Sequence, residues 1–148
     1  MTQEEKSLLL KDLCVRSPYG VKIHLETSEY GELIGTLDAV YPTDDRIIVD
    51  NLDKAIAHIN VRCGGFNIEE NKCKPYLRPM SSMTEEEYKQ YRKFSYYGAA
   101  GYRNNDYKEM ITTPSFEKMD FLNAHHFDYR GLIEKGLALE APEGMYNV

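Results

Sequence analysis

Across Ser17-Pro18-Tyr19-Gly20 the hydrophobic period of this chain changes from that of a helix to that of a strand. Before the change, Leu8, Leu9, Leu10 and Leu13 form one broad apolar face, with Lys6, Lys11 and Asp12 outside it. That spacing predicts a helix of about three turns. Thr2 and Glu5 are placed to open it as a capping box, and the proline and glycine stop it. After the change, Val21, Ile23 and Leu25 alternate with Lys22, His24 and Glu26, the period-two pattern of a strand with one buried face. A helix with one apolar stripe and a strand with one apolar face each need cover, so the helix is expected to lie on a sheet.

Further strand signals come at short intervals. Residues 27–32, with Tyr30-Gly31, read as a hairpin loop returning through residues 33–41, and Pro42-Thr43-Asp44-Asp45 turns the chain again. Ile47-Ile48-Val49 is a short β-branched strand. In residues 55–62, Ala57, Ile59 and Val61 face one way and His58, Asn60 and Arg62 the other, until Gly64-Gly65 breaks the run. Residues 74–79 look like an extended closing segment whose prolines confine it to a sheet edge or a strand end. The expected class is α+β: an N-terminal helix with a small antiparallel β-barrel of the Sm-like kind, or a plain meander, over residues 1–80. Gly35, inside a strand, inclines the reading to the barrel. Residues 81–148 are expected to be a helical C-terminal region packed on the first as one unit. There Thr84 and Glu87 form a second capping box, Thr113-Pro114 is expected to start another helix, and residues 128–136 to give one or two helical turns closed by Gly136.

Composition decides what the core is made of. Leu, Ile, Val and Phe together make up about 22% of the 148 residues, close to the ~20% level associated with disorder, and 12 tyrosines supply the difference. A tyrosine ring buries a large area, but its hydroxyl needs a partner or water. The net charge of −6 divides evenly, −3 over residues 1–83 and −3 over 84–148, so neither part is a basic module. Phosphate neutralisation supplies most non-specific nucleic-acid affinity, and double-stranded nucleic acid is not an expected partner. No apolar run approaches the ~20 residues of a membrane span and the start lacks a signal-peptide layout, so no membrane association and a cytoplasmic location are expected. Three cysteines without paired spacing make poor material for a disulfide framework. Cys14, beside Leu13 and Val15, reads as a buried inert thiol, and Cys63 and Cys73 as residues of neighbouring strands.

Few constellations suggest chemistry. His125-His126-Phe127-Asp128 is the densest set of potential ligands, but adjacent helical histidines point roughly 100° apart and are not an i, i+4 chelate. The structural alternative is a helix end at which an imidazole meets the last carbonyls and Asp128 caps the next helix. His24 and His58 are expected on solvated strand faces. Asp44-Asp45 and Glu85-Glu86-Glu87 suit a turn and a first helical turn. There is no phosphate loop, nucleophile elbow or zinc spacing, and no cofactor or metal site is expected. Tyr76, Arg78, Tyr88, Tyr91, Tyr96 and Tyr97, with Tyr102, instead concentrate phenols and a guanidinium in one span, a composition enriched at binding surfaces and suited to stacking on bases. The competing reading is that these rings replace missing aliphatic core. With His125, His126 and Arg130, the first six are the candidate binding residues. Residues 95–106, with few aliphatic side chains, read as a mobile or functional connection.

Two stretches carry a resemblance. Residues 74–87 (Lys-Pro-Tyr-Leu-Arg-Pro-Met-Ser-Ser-Met-Thr-Glu-Glu-Glu) and 120–146, with Asn123-Ala124-His125-His126-Phe127-Asp128-Tyr129-Arg130-Gly131 at their centre, resemble small uncharacterised proteins of Bacteroides-type bacteria and their phages and mobile elements. The resemblance implies an accessory protein of phage or prophage type and brings no catalytic residues with it. The expected function is a non-enzymatic interaction module that binds a protein partner or itself. A small-nucleotide or single-stranded nucleic-acid binder is the second reading, and a metal-assisted hydrolase using His125, His126 and Asp128 the third.

Overall fold

The computed structural model describes residues 1–54, 65–94 and 115–146. Helix α1 (Gln3–Arg16) starts where the capping box predicts: Glu5 N–H donates to Thr2 Oγ1 (3.1 Å) and Thr2 N–H to Glu5 Oε1 (2.9 Å). Leu9, Leu10 and Leu13 are buried, and so are Asp12 and Arg16, both fully. The expectation that Asp12 lies outside the apolar face is therefore corrected. Asp12 and Arg16 sit four residues apart on one helix face, where Arg16 Nε donates to Asp12 Oδ2 at 2.6 Å and Nη2 to the Phe127 carbonyl at 2.7 Å. Neighbours this close let both charges leave water. Cys14 is corrected in the other direction: it and Val15 are exposed, on the far side of α1 from Leu9 and Leu13. Cys73 is buried, which pushes its thiol up to about 12 and leaves it inert.

Gly20, with φ +68°, turns the chain into β1 (Lys22–Thr27). β1 pairs along its whole length with β2 (Gly31–Tyr41), from Lys22↔Thr36 to Thr27↔Gly31, and β2 pairs with β3 (Arg46–Asp50) through a bulge between Leu37 and Ala39. β4 (Phe66–Asn67) lies on β3, and β5 (Lys74–Leu77) returns to the other side of β1. The sixth strand, β6 (Leu139–Glu140), comes from the C-terminal region and runs parallel to β5. The order is β4-β3-β2-β1-β5-β6, an open mixed sheet among the described residues, with β1 to β4 as an antiparallel meander.

Among the described residues the strands are not closed into a barrel, and β1 to β4 follow the meander alternative. The side of β5 away from β1 is taken by β6, and just beyond it Arg78 bridges to Phe127, so the second half of the chain covers the edge that a barrel would use for closure. Gly35 has a local reason instead: a Cβ there would press on Val49 Cγ1 and the Asp50 carbonyl of β3, so the glycine permits close approach without closing the sheet. Pro75 is the second residue of β5, paired with Ile23 of β1 on one side, and is tolerated because β6 pairs only with Tyr76 and Leu77 and so asks no ladder bond of it on the other. The strand expected at 55–62, with His58 and Cys63, lies outside the described residues.

Two further helices come after the sheet. α2 (Glu85–Lys93) has its capping box, Thr84 Oγ1 accepting from Glu87 N–H and Glu87 Oε1 from Thr84 N–H. α3 (Phe116–Ala124) is capped by Ser115, whose hydroxyl accepts from Lys118 N–H; Thr113 and Pro114, where a helix start is expected from the sequence, lie outside the described residues. Residues 128–136 form turns rather than regular helix. The Asp128 carboxylate caps them, accepting from Leu132 N–H (2.8 Å) and Ile133 N–H (3.0 Å). Leu132, Leu137 and Ala138 enter the same core as Leu9, Ile23, Leu33 and Val49, and a smaller apolar cluster gathers Phe121, Leu122 and Phe127 with Met83, Tyr91, Phe94, Met119 and Tyr129 around them. No helix among the described residues is long and apolar enough to cross a membrane.

Candidate functional site

The two halves of the chain meet along β5, the end of α3 and residues 141–146. Arg78, next after β5, is at the centre of the seam. Its guanidinium forks onto Glu87, Nη1 donating to Oε2 and Nη2 to Oε1, both at 2.7 Å, and packs 4.3 Å over the Phe127 ring. Nη1 also reaches the His125 carbonyl (3.4 Å) and Nη2 that of Ser82 (3.3 Å). Glu87 is thereby cap residue and ion-pair partner at once, and the Arg78 hydrogen bonds hold its carboxyl down at about 2.

The histidines part company at the end of α3. His126 N–H donates to the Asn123 carbonyl and Phe127 N–H to that of Leu122, the double bond pattern of a Schellman ending. His126 therefore occupies the left-handed position usually given to glycine, with φ +64°. His125 faces the Phe121 ring edge-on at 4.2 Å, whereas His126 stacks on Tyr146 with centroids 3.8 Å apart and planes at 21°. Their rings thus sit in different surroundings. Among the described residues no three His, Cys, Asp or Glu side chains are placed to hold a metal ion. Burial lowers both imidazoles, His126 to about 4, with Arg16, His125, Arg78 and Lys22 adding repulsion to His126; His126 Nδ1 is buried without a hydrogen-bond partner among the described residues.

This arrangement has a measurable consequence. The unfolded chain protonates His126 as pH falls through about 6.5, while the folded chain resists until about 4, so stability is full above pH 6.5 and falls between these values. The loss attributable to His126 is at most about 3 kcal/mol. Glu87, lowered from 4.5 to about 2, withdraws its own contribution in a second window, from pH 4.5 down to 2. Urea midpoints measured from pH 8 to pH 3 should show the first decline in the native protein and a shallower one in His126→Asn.

Of the other candidate residues, Tyr76 is buried, with its ring edge-on to His24 at 6.1 Å, and His24 itself is half-buried beside Glu32 rather than solvated. Tyr91 packs 6.0 Å from Phe121, with the Lys118 ammonium 4.3 Å over its ring. Tyr88 is 52% exposed, with Arg92 over its ring at 5.6 Å. Arg130 lies away from the seam: its Nε stands 3.1 Å from Asp12 Oδ1, near enough for attraction but not aligned as a hydrogen bond, with its guanidinium over Tyr129. Tyr96, Tyr97 and Tyr102 lie outside the described residues, with the rest of 95–106. Two clefts of about 630 Å³ each adjoin at the seam and share Arg78, Thr84 and Tyr146. Arg78, His125 and His126 thus come together, while Tyr76, Tyr88, Tyr91 and Arg130 do not line these clefts. Tyr146 and Glu87 were missed as site residues. Glu87 carried a signal in its capping box, but nothing near Tyr146 in sequence points to β5.

Fold and site together define an α+β protein with a mixed sheet, open among the described residues, and a pair of adjoining clefts that Tyr146 helps to wall. Comparison with models of known families gives no match, and neither does comparison with curated proteins or with solved structures.

Proposed function

We propose that the chain is a non-enzymatic interaction module that binds a protein partner through the aromatic edge of α2 and α3. The observation that carries this reading is the exposure of Tyr88 (52%) and Phe116 (78%) on two helices that hold Tyr91, Phe94 and Met119 half-buried around Phe121. Large rings with exposed area offer contact surface at low entropic cost, and basic side chains beside Tyr88 and Tyr91 supply the mixed aromatic and cationic character common at binding hot spots. The polar groups of the seam support a structural role for the neighbouring residues, because Arg78 is committed to Glu87 and His126 is held neutral. The wider setting proposed, an accessory protein of phage or mobile-element type, rests on the resemblance at 74–87 and 120–146.

The test is the double variant Tyr88→Ala/Phe116→Ala. Both side chains are exposed, so its folding stability should stay within about 0.5 kcal/mol of the parent. Partner capture, or self-association read by sedimentation over a concentration series, should weaken about ten-fold or more. A variant that captures the same partner with the same affinity, and sediments at the same mass, would refute the reading.

A further inference from the structure

The pairing of β1 with β5 runs Ile23↔Pro75 and His24↔Lys74, and one step further it places Lys22 opposite Tyr76. That rung is closed by a side chain. Lys22 N–H donates to Tyr146 Oη at 2.8 Å, and Tyr146 O–H donates to the Tyr76 carbonyl at 2.7 Å. The phenol does what a bridging water does where two strands separate, satisfying one backbone donor and one backbone acceptor. His126 stacks on its ring at 3.8 Å. A donor, an acceptor and a flat aromatic face, all supplied by other parts of the fold, make a complete recognition site for a phenol.

The occupant is weakly tethered. Tyr146 is half-buried, and the tail that carries it is fixed to the sheet at Ala141, whose N–H donates to the Leu77 carbonyl at 2.8 Å. Between these points the segment's backbone bond among the described residues is internal, Met145 N–H to the Pro142 carbonyl. Tyr146 also walls both clefts, so lifting it opens the slot directly to them.

We propose that this slot is a phenol-binding site which Tyr146 fills in cis, and that it takes a tyrosyl side chain or another phenol from outside when the tail lifts. The Tyr76 carbonyl requires a proton donor, so the ligand is a neutral phenol and not a phosphorylated tyrosine. A ring without the hydroxyl leaves Lys22 N–H and the Tyr76 carbonyl unpaired, and sites built around a substrate hydroxyl reject such analogues strongly.

The experiment uses full-length Tyr146→Ala and reads its thermal midpoint with p-cresol, N-acetyl-tyrosinamide or toluene. The variant should melt below the parent. The two phenols should raise its midpoint with concentration and shift the Lys22 amide resonance, with affinities about ten-fold or more above toluene, while the parent, whose slot Tyr146 already fills, shows the same Lys22 shift only at higher phenol concentration and none with toluene. Rescue by p-cresol but not by the tyrosine amide assigns the site to small free phenols; rescue by both assigns it to tyrosyl side chains as well. If the variant is unfolded alone, the reading becomes regain of its circular dichroism in p-cresol. Equal effects of cresol and toluene, or no effect of either phenol, would overturn the proposal.

Discussion

Arg78→Met is expected to cost about 3–5 kcal/mol of folding free energy, read as a lower urea midpoint at pH 7 with an unchanged slope. The substitution keeps much of the apolar stem but removes both 2.7 Å hydrogen bonds to Glu87. Glu87 is buried, and Thr84 alone cannot replace a guanidinium fork, so an uncompensated carboxylate remains inside the seam. The alternative for the chain is to undock α2 and hydrate Glu87, which gives up the packing of Met83, Tyr91 and Phe94 around Phe121. Arg78→Met/Glu87→Leu should recover a substantial part of the loss, because replacing both members of a buried pair removes the unpaired charge along with the pair. Failure to recover would locate Arg78's contribution in its contacts with Phe127 and the His125 and Ser82 carbonyls instead.

A loss of the same order, about 3–5 kcal/mol, is expected for Asp12→Ala. Asp12 and Arg16 are both fully buried on α1, and Arg16 Nη1 already has no hydrogen-bond partner among the described residues. Removing the carboxylate leaves a guanidinium held, among the described residues, by the Phe127 carbonyl and the Tyr129 ring, and withdraws the charge that faces Arg130. The effect should also be visible away from α1: amide exchange at Phe127 and Leu132 should accelerate, since Arg16 ties α1 to that segment. Arg16→Met alone should cost a similar amount, and Asp12→Leu/Arg16→Met less than the sum of the two single changes. An additive double variant would show that the two side chains act independently.

These pairs mark the boundary of what could be read from residues in order. The start of α1, the turn at Gly20, the alternation of β1 and the hairpin to β2 come from signals within a few residues of each event: a capping box, a proline, a glycine, a period of two. The same local signals put Asp12 in water because its immediate neighbours resemble a polar helix face. Its burial depends on Phe127, 111 residues beyond Arg16 in the chain, and on Arg130. Arg78 has the chemistry of a binding residue, but its valences are taken up by Glu87 and two carbonyls. The strand order suggested closure, and only the arrival of β6 on β5 shows why the sheet stays open among the described residues. Of the tyrosines, Tyr76 is core, Tyr88 is surface and Tyr146 bridges two strands, although they are chemically identical in sequence.

The sequence by itself determined the α+β class, an N-terminal helix followed by short strands, and capped helices in the second half, because helix ends, turns and strand faces are set by local sterics and hydrogen-bond demand. Tertiary structure alone decided which polar groups lose water and what they meet there. Lys22 and Tyr76 take the same phenol, from 124 and 70 residues away, because the packing of residues 141–146 against β5 brings Tyr146 to that rung. Which residue satisfies a buried donor depends on the packing of whole elements, and local sequence does not contain it.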